Sequence, residues 1–159
     1  MKITILCVGK CKEKYMQQAV AEYVKRLSRY VKMQIIEVPD EKTPEGASTR
    51  QEEQIKEKEG KRLLEKIRSE DEVVVLAIEG EQMKSEEFAH QINQYGIRGK
   101  GNVVFVIGGS LGLSHEVMKR ANQKLSFSKM TFPHQLMRVI LLEQIYRAYR
   151  IIKKEPYHK

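Results

Sequence analysis

Two short apolar runs constrain this chain more tightly than anything else in it. Glu72–Ile78 (EVVVLAI) and Val103–Ile107 (VVFVI) carry no polar residue after the opening Glu72. Strands that apolar have no solvated face. They belong to parallel sheets covered by helices on both sides. Glu79–Gly80 is expected to end the first run, and a glycine turn starting at Gly108 ends the second.

The remaining segments supply the matching strands and helices. Lys2–Val8 reads as a first strand closed by Gly9, and Met33–Val38 as a second, stopped by Pro39. Between them, Lys12 to about Ser28 has amphipathic spacing, with Tyr15, Ala19, Tyr23 and Leu27 four apart. Asp40–Ala47 reads as a loop. Ser48 then caps a helix to about Ile67, whose closely alternating charges mark a solvated face. Ser85, followed by Glu86 and Glu87, is expected to cap the next helix, which exits through Gly96–Gly101. Ser114 caps a short helix, Lys124–Phe127 reads as a fifth strand, and a last helix runs from near Pro133 to about Lys153. Strands alternating with helices predict one α/β domain over residues 1–159, a mostly parallel sheet with helices on both faces.

Composition narrows the class. A chain of 159 residues can build one real core. No apolar run approaches the roughly 20 residues of a membrane span. The start lacks a small-residue cleavage site, so a cytoplasmic protein is expected. Cys7 and Cys11 have no second Cys pair or nearby His, so no metal site is expected, and Cys7 is expected to act as a small hydrophobe.

The last helix is apolar on nearly every side, from Leu136 and Met137 through Val139–Leu142 to Ile145, Tyr146, Tyr149 and Ile152. Such a helix needs its own sheet on one side and a second surface on the other, and a second copy of the chain is the expected one. Of the net charge of +8, most is C-terminal: residues 120–159 hold nine Lys or Arg against two acids. That excess suggests a polyanion, with Arg147, Arg150, Lys153, Lys154 and Lys159 expected on RNA phosphates. Glu143 and Arg147, four apart, are expected to pair.

The turn Gly108-Gly109-Ser110-Leu111-Gly112 follows a strand and precedes a capped helix, a place where backbone N–H groups face a ligand. It lacks the G-x-G-x-x-G dinucleotide pattern and the P-loop Lys, and no acid lies between Glu116 and Glu143 to hold a ribose. From Leu125 to Phe132, hydroxyls alternate with apolar residues, a pattern suited to an adenine edge and ring. From residues alone, the chain is a basic α/β protein with a small-molecule turn, acting on a polyanion. Two other readings stand beside it: a non-catalytic RNA-binding or ribosome-assembly factor, and a nucleotide-binding regulatory protein. The missing ribose acid and phosphate Lys count against the latter.

The start ILCVGKCKEKY, the turn IGGSLGLS, the stretch LSFSKMTFPHQLMRVILLEQIYRAYRI and the terminal PYHK together resemble the RlmH family over the whole chain. These are minimal SPOUT-class methyltransferases of pseudouridine N3 in large-subunit ribosomal RNA. Ser110 departs from the Pro of some relatives, which puts affinity in question rather than the resemblance. The resemblance implies a C-terminal trefoil knot and a homodimer in which one subunit's tail completes the other's site. It implies an S-adenosylmethionine pocket, here at Leu76, Gly108, Phe127, Ser128, Lys129, Met130, Thr131 and Phe132. The expected substrate is the RNA within the ribosome, with no DNA or membrane partner. Methyl transfer needs donor and acceptor held in line and help in removing the acceptor proton. Arg138, permanently charged, and His134, at a helix start, are the candidates within the chain. The resemblance adds Tyr157 and His158 from the tail.

Overall fold

The computed structural model describes residues 1–159. Its elements run β1 (Lys2–Val8), α1 (Lys14–Leu27), β2 (Lys32–Val38), α2 (Thr49–Leu64), β3 (Glu72–Glu81), α3 (Ser85–Ile97), β4 (Asn102–Ile107), α4 (His115–Arg120), β5 (Gln123–Leu125) and α5 (His134–Ile152). The five strands form one parallel sheet in the order β2-β1-β4-β3-β5. The α/β expectation holds.

The alternation along each strand divides two cores. Ile3, Ile5 and Cys7 of β1, Val103, Phe105 and Ile107 of β4, and Val74 of β3 face α1, α3 and α5. Leu6, Val8, Val104, Val106, Val73 and Val75 face the other way, against Leu63 of α2 and Val117 of α4. Register ties the layers together: Ile5 and Val74 both lie opposite Phe105. Each such fully buried side chain contributes about 1.5–3 kcal/mol over an exposed one.

Caps set several ends. Ser48 and Gln51 make a reciprocal capping box on α2, and the Ser114 hydroxyl accepts from the Val117 N–H on α4. Ser85, the expected cap of α3, lies inside the helix instead, and its hydroxyl donates to Gln144 of α5 at 2.9 Å. The amphipathic stripe of α1 is also rotated from expectation. Val20, Tyr23, Val24 and Leu27 pack inward, whereas Tyr15 is 65% exposed.

The third strand does not stop at Gly80. It continues to Glu81, and its register shifts so that both Leu76 and Glu81 pair with Leu125. A Cβ at Gly80 would sit 2.7–2.8 Å from the backbone of Lys124 and Leu125, so only glycine allows this approach. The Ser126 N–H then donates to the Glu81 carbonyl at 2.9 Å. These contacts end β5 at Leu125, two residues short of expectation, and turn the following segment back toward the strand ends.

Helix α5 buries Leu141, Leu142, Ile145, Ala148 and Tyr149 against the sheet, α1 and α3. Leu136, Val139 and Ile140 stay half-buried outside that core.

Candidate active site

A cavity of about 800 Å³ opens at the C-terminal ends of β3, β4 and β5. Ligands bind at this end of parallel sheets because loops and helix starts converge there. Three chain segments form most of its walls, Leu76–Glu79, Ile107–Leu113 and the residues leading from β5 into α5, and Lys56 of α2 and Met118 of α4 complete them.

The glycine turn is tightly built. Gly112 has φ +91°, which favours glycine, and its N–H donates to the Gly109 carbonyl at 3.0 Å. A Cβ on Gly108 would lie 3.0 Å from both the Gly112 carbonyl carbon and Leu113 Cδ2. Helix α2 supports the turn from behind. Gly60 packs so closely on Ser114 that a Cβ there would be 2.3 Å from its hydroxyl. Glu59 is buried beside the turn. One of its oxygens would lie 3.2 Å from a Cβ at Gly109, and the other accepts from the Glu41 N–H at 2.9 Å. Burial pushes this carboxyl above its usual range, only partly offset by that hydrogen bond. The charge pattern of α2 suggested only solvent exposure. The one available signal was a glycine in mid-helix.

The loop after β5 is folded by its own hydroxyls. Ser126 donates to the Ser128 carbonyl, and the Ser128 hydroxyl accepts from the Met130 N–H, both at 3.0 Å. Of the expected donor-pocket residues, Leu76, Gly108, Phe127, Ser128, Met130, Thr131 and Phe132 line the cavity. Lys129 does not: it is exposed to solvent and absent from the walls.

His134, the first residue of α5, also lines the cavity. Burial first, and then the Arg138 charge, hold its imidazole below the ordinary pKa of 6.5, with Asp40 opposing. It is therefore neutral at pH 7 and able to accept a proton.

Arg138 does not face this cavity. One turn after His134, it points to the sheet and is 1% exposed. It forms an ion pair with Glu37 and donates to the Gly9 carbonyl at 2.6 Å. Sequence reasoning expected a guanidinium free for substrate; burial between α5, β1 and β2 makes it internal instead.

Tyr157 and His158 are also outside the cavity of their own chain. Tyr157 donates to Glu143 at 2.6 Å, and burial together with that carboxylate pushes its hydroxyl pKa up, so it stays protonated. His158 lies 3.0 Å from Arg147 and 2.8 Å from Glu86. Arg147 also pairs with Glu143, as the spacing predicts. Arg150 is held by Tyr30, Glu155 and the Pro156 carbonyl. These two arginines, expected on RNA, fasten the tail, whereas Lys153, Lys154 and Lys159 are exposed.

No group of three or more His, Cys, Asp or Glu side chains is arranged to hold a metal, and no helix is long and apolar enough to cross a membrane. Residues 1–158 match the family described as "Predicted SPOUT methyltransferase". The chain is 61% identical to ribosomal RNA large subunit methyltransferase H of Clostridium perfringens strain 13, over the full length of both. It is 60% identical to the proteins of that name from Enterococcus faecalis and Bacillus anthracis, again over both whole chains. Among solved structures, a probable methylase family protein from Haemophilus influenzae aligns with TM-score 0.56 at 12% identity, covering 99% of this chain and 70% of that one. That likeness concerns the fold alone.

Proposed function

The chain belongs to the SPOUT methyltransferase family, and from that premise we propose that it transfers a methyl group from S-adenosylmethionine to N3 of a pseudouridine in large-subunit ribosomal RNA, acting on the assembled ribosome. The observation that carries this reading is the cavity bounded by the Gly108–Gly112 turn and the loop before α5, with His134 on its wall. The full-length identity to relatives named as ribosomal RNA large subunit methyltransferases supports the RNA substrate.

The residues present fit the donor. The turn at Gly108 brings backbone close where a Cβ would fill the space. Leu76, Leu125, Phe127 and Phe132 offer apolar walls to an adenine ring. Backbone groups of the turn and of the loop before α5 that are not used in the loop's own hydrogen bonds would take the polar edges. When bound, S-adenosylmethionine supplies an electrophilic methyl group on a sulfonium.

The chain's own part is positioning and proton removal. His134 would take the N3 proton as the nitrogen becomes nucleophilic, a role supported by its neutral imidazole and its position on the cavity wall. Arg138 acts one step back. It fixes the start of α5 against Gly9 and depresses the imidazole pKa, keeping His134 in its accepting form. Holding donor and acceptor in line within the cavity lowers the entropic part of the barrier of this two-substrate reaction.

The same reading includes a knotted C-terminal threading and a homodimer. The half-buried Leu136, Val139 and Ile140 on α5 form a face for a second copy. Tyr157 and His158, which do not reach their own cavity, would then complete the partner's. The deciding experiment is transfer of labelled methyl from S-adenosylmethionine to large subunits or ribosomes from cells lacking this protein, with the label mapped. Label on N3 of one pseudouridine is expected. Label on free RNA but not on ribosomes would refute action on the assembled particle, and no transfer would refute the activity.

A further inference from the structure

The β1–α1 loop is a rigid frame that presents unpaired cations. Its backbone is held at four points. The Gly9 N–H donates to the Val38 carbonyl at 2.8 Å, and the Gly9 carbonyl accepts from Arg138 at 2.6 Å. The Cys11 N–H donates to Glu37 at 2.8 Å, and the Cys11 carbonyl accepts from Gln17 at 2.6 Å. From this fixed backbone, Lys10, Lys12 and Lys14 all project into solvent, with Glu13 the only acid among them. None of the three joins an ion pair with a carboxylate. Tyr15 follows at once and is 65% exposed.

Stability does not explain this arrangement. Lys14 opens α1, whose first turn contains no acid and whose N-cap makes no side-chain hydrogen bond. Lys14 there opposes the helix dipole, at a cost of about 0.3–1 kcal/mol that the charge of Glu13, the N-cap, partly offsets. An exposed tyrosine on the same turn adds no core contact.

Position gives the loop its meaning. In the sheet β1 lies beside β4, and the space a Cβ would take at Gly109 is 3.2 Å from Val8. The loop therefore rises next to the glycine turn, and Arg138 ties it to the helix whose first residue, His134, lines the cavity. The C-terminal arginines are occupied by internal partners.

We propose that Lys10, Lys12 and Lys14, with Tyr15, form the surface that grips the RNA backbone flanking the target nucleotide. This rests on the methyltransferase reading above and assigns it a substrate surface. Lysine ammonium groups are mobile point charges that neutralise phosphodiesters without reading sequence. An exposed tyrosine stacks on an unpaired base whatever its identity. The loop thus supplies affinity and orientation, and the cavity supplies chemistry.

The test compares the full-length protein with the variants Lys10→Ala/Lys12→Ala/Lys14→Ala and Tyr15→Ala. A control, Lys25→Ala/Lys32→Ala, removes two exposed cations at the opposite end of the strands, where α1 ends and β2 begins. Large subunits from cells lacking the protein are the substrate. For the triple variant, KM should rise at least about tenfold with kcat within about twofold. The slope of log affinity against log salt should fall by about 2, since each lost single-strand contact removes about 0.7. Donor affinity should not change, and the control should behave as wild type. A crosslinker at position 12 should capture RNA. Wild-type KM and salt slope in the triple variant, a crosslink to ribosomal protein alone, or a weakened donor affinity would each overturn the proposal. If the wild-type protein transfers no methyl group at all, the activity reading fails separately. The loop is then judged by the salt slope of subunit binding: a reduced slope supports it and an unchanged slope overturns it.

Discussion

The guanidinium of Arg138, on α5, pairs with the carboxylate of Glu37, on β2, across 101 positions of sequence. The arginine side chain is 2% exposed and the glutamate 35%, so the cation is the partner with nowhere else to go. Its Nε has no partner at all. Glu37→Gln should therefore cost about 3 kcal/mol, because it leaves a buried charge uncompensated. Replacing both partners together with apolar residues should cost less than either single change. Urea denaturation of the three variants measures this. Burial tends to raise the Glu37 pKa, but the Arg138 and Cys11 hydrogen bonds and the Arg138 and Lys10 charges outweigh it, and the net shift is downward from 4.5. The pair's contribution is thus complete above pH 4.5 and fades as pH falls below it. The stability gap between wild type and Glu37→Gln should shrink in that range.

His134→Gln should lower kcat for methyl transfer by about 10²–10⁴, the usual contribution of a positioned base, while donor affinity stays within a few fold. Because the imidazole pKa lies below 6.5, wild-type kcat should hold level through neutral pH. It should decline only as pH falls beneath that value and the ring gains its proton. The variant should show no such decline. A variant with wild-type kcat would remove His134 from the chemistry.

The strands were legible because their signals are local. VVFVI is buried on both faces as expected, whereas EVVVLAI is buried only through Val75: Leu76 and Ala77 are half-buried on the cavity wall and Ile78 is 48% exposed. Ser48 and Ser114 act as the caps their positions predict. What escaped depends on which element lies opposite. Gly80 looked like a strand end, and only the backbone of Lys124 beside it explains why the strand continues. Glu59 looked solvated in a charged helix, yet it sits against the glycine turn. Seven of the eight expected pocket residues line the cavity, since they flank turns at the strand ends, a place topology dictates. Arg138 did not follow, because pairing with Glu37 has no signature in either segment alone.

The approach of α2 to the turn makes Gly60 a sensitive position. Helix propensity favours Gly60→Ala by up to about 1 kcal/mol. Against that, the new Cβ would be 2.3 Å from the Ser114 hydroxyl and 3.3 Å from Val117. Overpacking costs about 1–3 kcal/mol, and a displaced cap about another 1. The net effect should be destabilising, by about 1–3 kcal/mol on these figures, with weaker donor binding because α4 follows the glycine turn. Gly108→Ala should weaken donor binding more than it lowers stability, since its Cβ meets Gly112 and Leu113 inside the turn itself. Thermal denaturation paired with donor titration separates the two. Equal effects of both variants on donor affinity would contradict this division.

The tail offers a test of the dimer. Tyr157 and His158 are held at Glu143, Arg147 and Glu86, away from their own cavity. If they serve the partner, a chain lacking residues 157–159 should bind donor normally yet transfer no methyl group. His134→Ala should be inactive for the opposite reason. Mixed in equal amounts with exchange of subunits, half the dimers are hybrids. In each hybrid one site combines an intact His134 with an intact tail from the other chain. About a quarter of wild-type activity should return. If each tail serves its own chain, no hybrid site is whole, and the mixture stays as inactive as its components.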